Sequence, residues 1–295
     1  MLVGLSLAPR AAAARAEDNG YVDAHVYVWT PDTDAYPLDA NFSKQAMQPP
    51  SFTPEELFQH CESSGVDRIV LIQMSFYQYD NRYMLDMVKA HPGRFSAVGI
   101  VDYHRADLVS HLATLQQAGV RGLRIHSRGG NSATWNSDPA MAKLWRTCQR
   151  MGIAICPLIN TEDIPLVDRL CQQHPDTTVV VDHFGRVGIS GTIDEDDLNN
   201  LCRLARFPNV NVKTSAFYAL GEKRPPYRDL LPMIARVRDA FGPQRLMWAS
   251  DCPYQVQGRH TYEASIALIR DAGESLFSAG DKEWLLRKTA ERIFF

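Results

Sequence analysis

The feature that most constrains the fold is a regular alternation, after residue 20, of apolar strand-like runs with stretches of helical periodicity. Eight strands are predicted, at 21–29, 68–73, 95–102, 122–126, 153–159, 178–183, 210–215 and 245–251. Most are continuous apolar runs, which is typical of parallel strands covered on both faces. Helices are predicted between them, and the first begins at Thr53-Pro54, a cap residue followed by a first-turn proline.

Eight strands alternating with helices predict a (β/α)8 TIM barrel in preference to an open doubly wound sheet. No GxGxxG motif follows the first strand, which argues against a dinucleotide fold. No break in composition, linker or internal repeat occurs after residue 20, so residues 21–295 are predicted to form a single domain. The irregular segment 30–51 follows the first strand and is expected to lie across the barrel mouth.

The first 20 residues differ from the rest of the chain. A short apolar stretch leads to Ala14-Arg15-Ala16, a pattern typical of an export cleavage site, but the basic region that normally precedes it is missing. A partial export signal and a disordered alanine-rich leader, or a misassigned start, are both compatible with this pattern. The expected location is therefore cytoplasmic, or periplasmic if the leader is a truncated signal.

Charge and cysteine content exclude several classes of function. The chain has 31 basic and 34 acidic residues, so no basic field attracts nucleic acid or an anionic membrane. None of the six cysteines forms a CxxC pair, and no segment after the leader is apolar enough to span a bilayer. The expected partner is a small-molecule substrate, and a homo-oligomer is compatible with the sequence.

Polar side chains collect where the predicted strands end, and in TIM barrels these ends carry the active site. Asp23, His25 and Tyr27 share one face of the first strand, where Asp23 is predicted to be a buried structural partner. Any one such residue alone would be interpreted as a structural residue whose polar group is hydrogen-bonded at a strand end. So many of them together favour a reaction site. The residues predicted to bind substrate are Gln73, Tyr77, Arg124, His126, Arg128 and Lys213.

Arg124 constrains the substrate, because an inward-facing guanidinium at a barrel mouth matches a carboxylate or phosphate. The alternative is an arginine paired with a barrel carboxylate, for example Asp102. The segment LMWASDCPY, 246–254, places Asp251 at the end of the last strand, where it can take a proton from water. The alternative for Asp251 is a helix cap, although the next helix is not predicted to begin until residue 262.

The segments VDAHVYVW, GVDRIVLIQ, RGLRIH, VVVDHFGR, NVNVKTS and LMWASDCPY together resemble the amidohydrolase superfamily. The similarity is to the amidohydrolase-related branch, which includes 2-pyrone-4,6-dicarboxylate lactonase and related lactonases, and it covers nearly all of residues 20–295. The resemblance implies a distorted barrel with site roles for His25, His183 and Asp251. It also implies that Arg124 contacts a substrate carboxylate, but the second arginine expected six residues later falls at Gly130, so only Arg128 could replace it.

Tyr27 departs from the family pattern, in which the first strand carries His-x-His. Two imidazoles at i and i+2 hold a divalent ion well, whereas a neutral phenol is a poor ligand. His25, His183 and Asp251 could still bind zinc with lower affinity. We therefore expect no required cofactor, or a weakly held divalent metal such as zinc.

The sequence thus predicts a hydrolase that opens the lactone or ester bond of a small carboxylated substrate. Asp251 would activate water, while His25, Tyr27 and His183 polarise the carbonyl. Two alternatives stay open: a metal-dependent decarboxylase of an aromatic or unsaturated acid, and a binding form that is catalytically impaired because Tyr27 replaces the second histidine.

Overall fold

Eight parallel strands form a nearly closed barrel in the computed structural model, which describes residues 20–295 without the side chains of residues 128, 129 and 131. The predicted leader therefore lies outside the described residues, except for residue 20. The strands follow one another around the barrel in chain order: β1 (Tyr21–Val26), β2 (Val66–Ile72), β3 (Phe95–Gly99), β4 (Val120–His126), β5 (Ala154–Leu158), β6 (Val179–Val181), β7 (Val210–Thr214) and β8 (Leu246–Trp248).

Helices cover the outside of the barrel and the prediction of a (β/α)8 fold is confirmed. They are α1 (Pro54–Cys61), α2 (Arg82–Ala90), α3 (Leu108–Gln117), α4 (Pro139–Met151), α5 (Ile164–Gln173), α6 (Glu195–Arg203), α7 (Leu231–Phe241), α8 (Tyr262–Arg270), α9 (Ala279–Glu283) and α10 (Thr289–Phe294). Thr53 caps α1 in a reciprocal capping box with Glu56, as the Thr-Pro signal predicted. The helix predicted at 281–292 is divided by a π-helical turn at Trp284–Lys288.

Seven of the eight strands end one to three residues earlier than predicted, and β6 and β8 do so because the residues that follow leave the extended conformation. Strand β6 stops at Val181, and the next residues include His183 with a φ of 52°. Strand β8 stops at Trp248, before Asp251 with a φ of 67°. Left-handed backbone cannot continue a β-ladder, so these residues turn inward at the carboxyl end of the barrel.

A glycine in β4 lets the last helix close the amino end of the barrel. A Cβ atom at Gly122 would lie 3.0 Å from Val98 Cγ2 and 3.3 Å from the ring of Phe294 in α10. That ring also lies 5.6 Å below the Lys213 ammonium. The barrel is therefore filled from below, and its open space lies at the carboxyl ends of the strands.

The seam between β1 and β8 is closed by backbone contacts and by one buried carboxylate. Tyr27 N–H donates to Cys252 O at 2.9 Å, and Asp251 N–H donates to His25 O at 3.0 Å. Asp23 Oδ1 accepts from the N–H groups of Ser250 (2.9 Å) and His25 (3.2 Å), and Oδ2 accepts from the Tyr262 hydroxyl at 2.7 Å. The structural role predicted for Asp23 is confirmed.

None of the described helices combines the length and apolar character that a bilayer crossing requires. The segment 30–51 is tied to neighbouring loops, with Asp39 N–H donating to Phe76 O at 2.9 Å and the Trp29 indole donating to Pro49 O at 3.0 Å.

We predict that Asp23→Ala lowers the free energy of unfolding by about 2–4 kcal/mol, because three buried donors lose their acceptor. Tyr262→Phe, which removes one of the three bonds, should cost about 1 kcal/mol. Urea denaturation followed by circular dichroism measures both, with the exposed Asp34→Ala as a control. A value for Asp23→Ala no larger than that of the control would contradict the seam role.

Candidate active site

The polar residues predicted at the strand ends converge on the carboxyl end of the barrel. His25 belongs to β1, Arg124 and His126 to β4, and Lys213 to β7, while His183 and Asp251 follow β6 and β8. Because inward-facing residues recur at every second position of a strand, Arg124 and His126 share the face of Gly122. Apart from His126, these side chains are buried.

The guanidinium of Arg124 lies at the centre of this group. Its Nη1 donates to the Tyr27 hydroxyl oxygen at 2.9 Å, and its Nη2 contacts His25 Nε2 at 2.8 Å and Asp182 Oδ2 at 3.1 Å. Since arginine only donates, His25 Nε2 is the acceptor in this contact. Arg124 is thus paired with a barrel carboxylate, which is Asp182 and not Asp102.

A second cation lies below His25. Lys213 Nζ is 3.0 Å from Asp182 Oδ1 and 3.2 Å from His25 Nδ1. Burial and the Lys213 charge hold the pKa of His25 well below its usual range, so this imidazole is neutral. Burial alone would raise the pKa of Asp182, but Lys213, His25 and Arg124 outweigh it and keep the carboxylate ionised.

Asp251 is hydrogen-bonded through only one of its two carboxylate oxygens. Its Oδ2 accepts a hydrogen bond from the Tyr218 hydroxyl at 2.7 Å. Its Oδ1 is buried without a hydrogen bond, 3.5 Å from His25 Nε2 and 3.6 Å from His183 Nε2. Burial raises the pKa of Asp251 to about 7, against the opposing effect of Tyr218 and Arg124. Asp251 does not cap a helix, because α8 begins at Tyr262 with Thr261 as its cap.

His183 completes the set opposite Asp251. Its Nδ1 lies 2.8 Å from the Ser215 hydroxyl, and burial lowers the pKa of His183 to about 3. The imidazole is therefore neutral near pH 7.

Strained backbone surrounds these groups. His183, Ala216 and Asp251 have φ values of 52°, 56° and 67°, in the left-handed region that residues other than glycine rarely adopt. Each such residue costs on the order of 1–3 kcal/mol, and such strain clusters at functional sites. Here it aims His183 and Asp251 inward and turns the chain after β7 so that Tyr218 reaches Asp251.

A cavity of about 260 Å³ opens above the group. Its size is below the usual range for drug-sized ligands and suits a substrate of about one ring. The lining side chains come from several strand ends and the loops that follow them: Tyr27, Met74, Ser75, Ile100, Arg124, His126, Leu158, His183, Arg186, Ile189, Ala216, Tyr218, Ala219, Leu220, Asp251 and Tyr254. None of them comes from segment 30–51, which was expected to lie across the barrel mouth.

The predicted site residues divide into two groups. His25, Tyr27, His183 and Asp251 are brought together, and Arg124 and His126 line the cavity. The remaining three described residues do not line the cavity. Lys213 is beneath His25, the Gln73 amide donates to Gln78 O (3.2 Å) and Asp80 O (2.7 Å), and Tyr77 packs on Phe76 and Tyr83. The side chain of Arg128 lies outside the described part of the chain.

Three residues of the site were not singled out from the sequence as site residues. Asp182 directly precedes His183 in VVVDHFGR, and this position next to a predicted site residue could have indicated its role in the site. Arg186 follows in the same motif and lines the cavity. Tyr218 lies in a short 3₁₀ turn (Phe217–Ala219) beyond β7, and no sequence pattern indicated its contact with Asp251.

His25, His183 and Asp251 could hold a metal ion, because one donor atom of each lies within 4.8 Å of the others. The unbonded Asp251 Oδ1 fits that role. The Arg124 guanidinium opposes it, since Nη2 contacts the His25 nitrogen that would ligate the ion. An ion would therefore have to displace a fixed positive charge.

Comparison with known proteins gives a consistent result. A family model described as amidohydrolase matches residues 22–295. The L-fucono-1,5-lactonase of Burkholderia ambifaria is 27% identical over 238 residues, covering 79% of this chain and 80% of that protein. The 2-pyrone-4,6-dicarboxylate hydrolase of Comamonas testosteroni is 28% identical over 255 residues, covering 80% and 77%. A crystal structure of an amidohydrolase from Burkholderia multivorans with bound zinc has a TM-score of 0.77 at 21% identity, covering 93% and 98%.

We predict that Arg124→Gln strengthens Zn²⁺ binding at least tenfold, because it frees His25 Nε2 and removes a neighbouring positive charge. Competition with a chromophoric chelator measures the affinity without reference to activity. Adding His183→Asn to this variant should abolish the gain. Equal Zn²⁺ affinity of the wild type and Arg124→Gln would show that the guanidinium does not oppose the ion.

Proposed function

The chain belongs to the amidohydrolase family, and from this premise we propose that it is a hydrolase that opens the lactone ring of a small carboxylated substrate. The observation that carries the proposal is the Asp251 carboxylate. It lines the cavity with one oxygen free of hydrogen bonds, and burial raises its pKa to about 7. A general base with these properties suits water activation near neutral pH. The names of the lactone-hydrolysing relatives support the same reaction class.

In the reaction we infer, a water oxygen attacks the lactone carbonyl carbon while Asp251 Oδ1 takes one of its protons. The carbonyl oxygen then carries the negative charge of a tetrahedral intermediate. When the ring carbon–oxygen bond breaks, the proton on Asp251 passes to the departing ring oxygen. The product is a hydroxy acid, or its keto form if the ring oxygen belonged to an enol, and Asp251 returns to its starting state.

Tyr27 is the group we assign to the carbonyl oxygen. Its hydroxyl oxygen accepts from Arg124 at 2.9 Å, and no described acceptor takes its own proton. Burial raises the pKa of Tyr27 far above neutrality, so the hydroxyl stays protonated. The adjacent guanidinium polarises this donor in a site of low dielectric, where stabilisation of an oxyanion is most effective.

The two histidines then have different roles. His25 Nε2 accepts from Arg124, so we assign His25 to positioning the guanidinium and not to direct polarisation of the carbonyl. For His183 we propose the tautomer in which the Ser215 hydroxyl donates to Nδ1 at 2.8 Å, and not to Lys213 O at 3.5 Å, so that the Nε2–H faces the cavity as a second donor.

A divalent ion held by His25, His183 and Asp251 would supply further polarisation of the carbonyl when bound. The steps assigned above need only the side chains of this chain. A lactone is an activated ester, which suits hydrogen-bond catalysis of this kind better than an amide would.

Tyr218 orients the carboxylate of Asp251, the proposed base. Its hydroxyl holds Asp251 Oδ2 at 2.7 Å, which turns Oδ1 toward the space between His25 and His183.

Arg186, which lines the cavity and donates to the neutral Asn160 amide oxygen at 2.9 Å, is the cation we assign to the substrate carboxylate. Arg124, the residue predicted for that role, is already paired with Asp182.

We predict that Asp251→Asn lowers kcat for the best lactone by at least 10³-fold, because the water loses its base. Tyr218→Phe should lower kcat by about 10- to 100-fold with little change in KM, since only the carboxylate orientation is lost. Steady-state kinetics measures both. If Asp251→Asn retained full turnover, the assignment of the base would be wrong.

Tyr27→Phe is expected to lower kcat by about 10²–10³-fold, the usual cost of removing one oxyanion donor. The ring and its packing are kept, so the protein should fold. Tyr79→Phe, on a side chain that is 53% exposed, serves as the matched control and should leave kcat unchanged. Equal rates for the two variants would exclude Tyr27 from the chemistry.

A further inference from the structure

The cavity walls constrain which lactone fits. Seven of the sixteen lining residues are Met74, Ile100, Leu158, Ile189, Ala216, Ala219 and Leu220, which offer no polar side-chain atom. A ring hydroxyl placed against them would lose its water without gaining a hydrogen bond. An apolar pocket rejects an added hydroxyl by roughly 10²-fold.

Four of the polar lining groups, Tyr27, Arg124, Tyr218 and Asp251, are already engaged in buried hydrogen bonds. Arg124 bonds Tyr27, His25 and Asp182, and Tyr218 bonds Asp251. A sugar hydroxyl placed beside these four groups would have to break existing buried bonds to gain a partner.

One wall of the cavity is aromatic. The ring centroids of Tyr27 and Tyr254 are 5.7 Å apart and those of Tyr218 and Tyr254 are 6.4 Å apart, so Tyr254 neighbours both of the other rings. Aromatic faces favour flat, unsaturated rings that can pack against them.

The charge of the lining is also limited. Among the described lining side chains, the two arginines are Arg124 and Arg186. Arg124 has a carboxylate partner in Asp182, whereas the contact described for Arg186 is to the neutral Asn160 amide. One cation without a carboxylate partner matches one acid group on the substrate.

We propose that the substrate is a lactone with a flat, unsaturated ring that carries one acid group and no ring hydroxyl. This inference rests on the proposed lactone hydrolysis and narrows it. It separates the substrate of this chain from both a hydroxylated sugar lactone and a lactone dicarboxylate, the classes that the names of the two relatives indicate for those proteins.

A matched set of six-membered lactones tests the proposal. The set comprises 2-pyrone, the 2-pyrone monocarboxylates with the acid at carbon 3, 5 or 6, 2-pyrone-4,6-dicarboxylate and D-glucono-1,5-lactone. We expect kcat/KM for the best monocarboxylate to exceed that for gluconolactone at least ~100-fold. We also expect it to exceed that for the dicarboxylate at least ~10-fold, because the described lining side chains offer the second acid no cation that lacks a carboxylate partner.

A variant pair tests the acid group directly. Arg186→Gln should erase the advantage of the best monocarboxylate over uncharged 2-pyrone, while the exposed Arg203→Gln should leave it unchanged. If Arg186→Gln lowered kcat/KM equally for both substrates, recognition of the acid by Arg186 would be wrong.

The outcomes separate this inference from the proposed function. Preference for gluconolactone or for the dicarboxylate would overturn the substrate class and leave lactone hydrolysis standing. Failure to open any lactone of the set, with the folded state verified by circular dichroism, would overturn both.

Discussion

The buried guanidinium of Arg124 is the group around which the rest of the site is arranged. It donates to the Tyr27 hydroxyl, to His25 Nε2 and to Asp182 Oδ2, and so links β4 to the end of β1 and to the residue after β6. A buried cation is tolerated only with a compensating partner, and Asp182 serves both Arg124 and Lys213. Removing one partner from such a group typically costs about 3–5 kcal/mol, so the geometry is held firmly.

This arrangement explains how tyrosine can stand where a second histidine would form a metal-binding pair. A phenol is a poor metal ligand, but with its oxygen bonded to Arg124 it becomes a strong hydrogen-bond donor toward the cavity. In the proposed reaction, the positive charge near the lactone carbonyl is the guanidinium of Arg124, which β4 holds in place. Neutral His25, which lies between Arg124 and Lys213, contributes by accepting from the guanidinium.

Much of the fold and part of the site could be predicted from the sequence. Continuous apolar runs separated by helical stretches specify parallel strands, and inward alternation places His25, Tyr27 and Arg124 on the correct face. The hydrogen-bonding partners of Arg124 could not be predicted, since the alternation of side chains along a strand shows which way a side chain points and not which carboxylate it contacts. Asp102 and Asp182 both lie at or near the predicted end of a strand, but the Asp102 side chain is 45% exposed whereas Asp182 is buried.

Tyr218 shows the other limit of sequence reasoning. Its contact with Asp251 depends on left-handed turns at Ala216 and Asp251, and neither residue type signals that conformation. Gln73 shows the reverse case: it lies directly after β2, next to its predicted place, but its amide donates to two loop carbonyls and does not face the cavity. Sequence patterns predict positions along strands well, whereas contacts made by loops after the strands depend on backbone geometry that the pattern does not encode.

The central claim is that Arg124 and Tyr27 act as one unit on the carbonyl oxygen. A double-mutant cycle on kcat/KM tests this most directly, with Tyr27→Phe, Arg124→Met and the double variant assayed on the best lactone. If the pair acts together, Tyr27→Phe should cost at least tenfold less in the Arg124→Met background than in the wild type, a coupling of about 1.4 kcal/mol or more. Equal costs in both backgrounds would contradict the account.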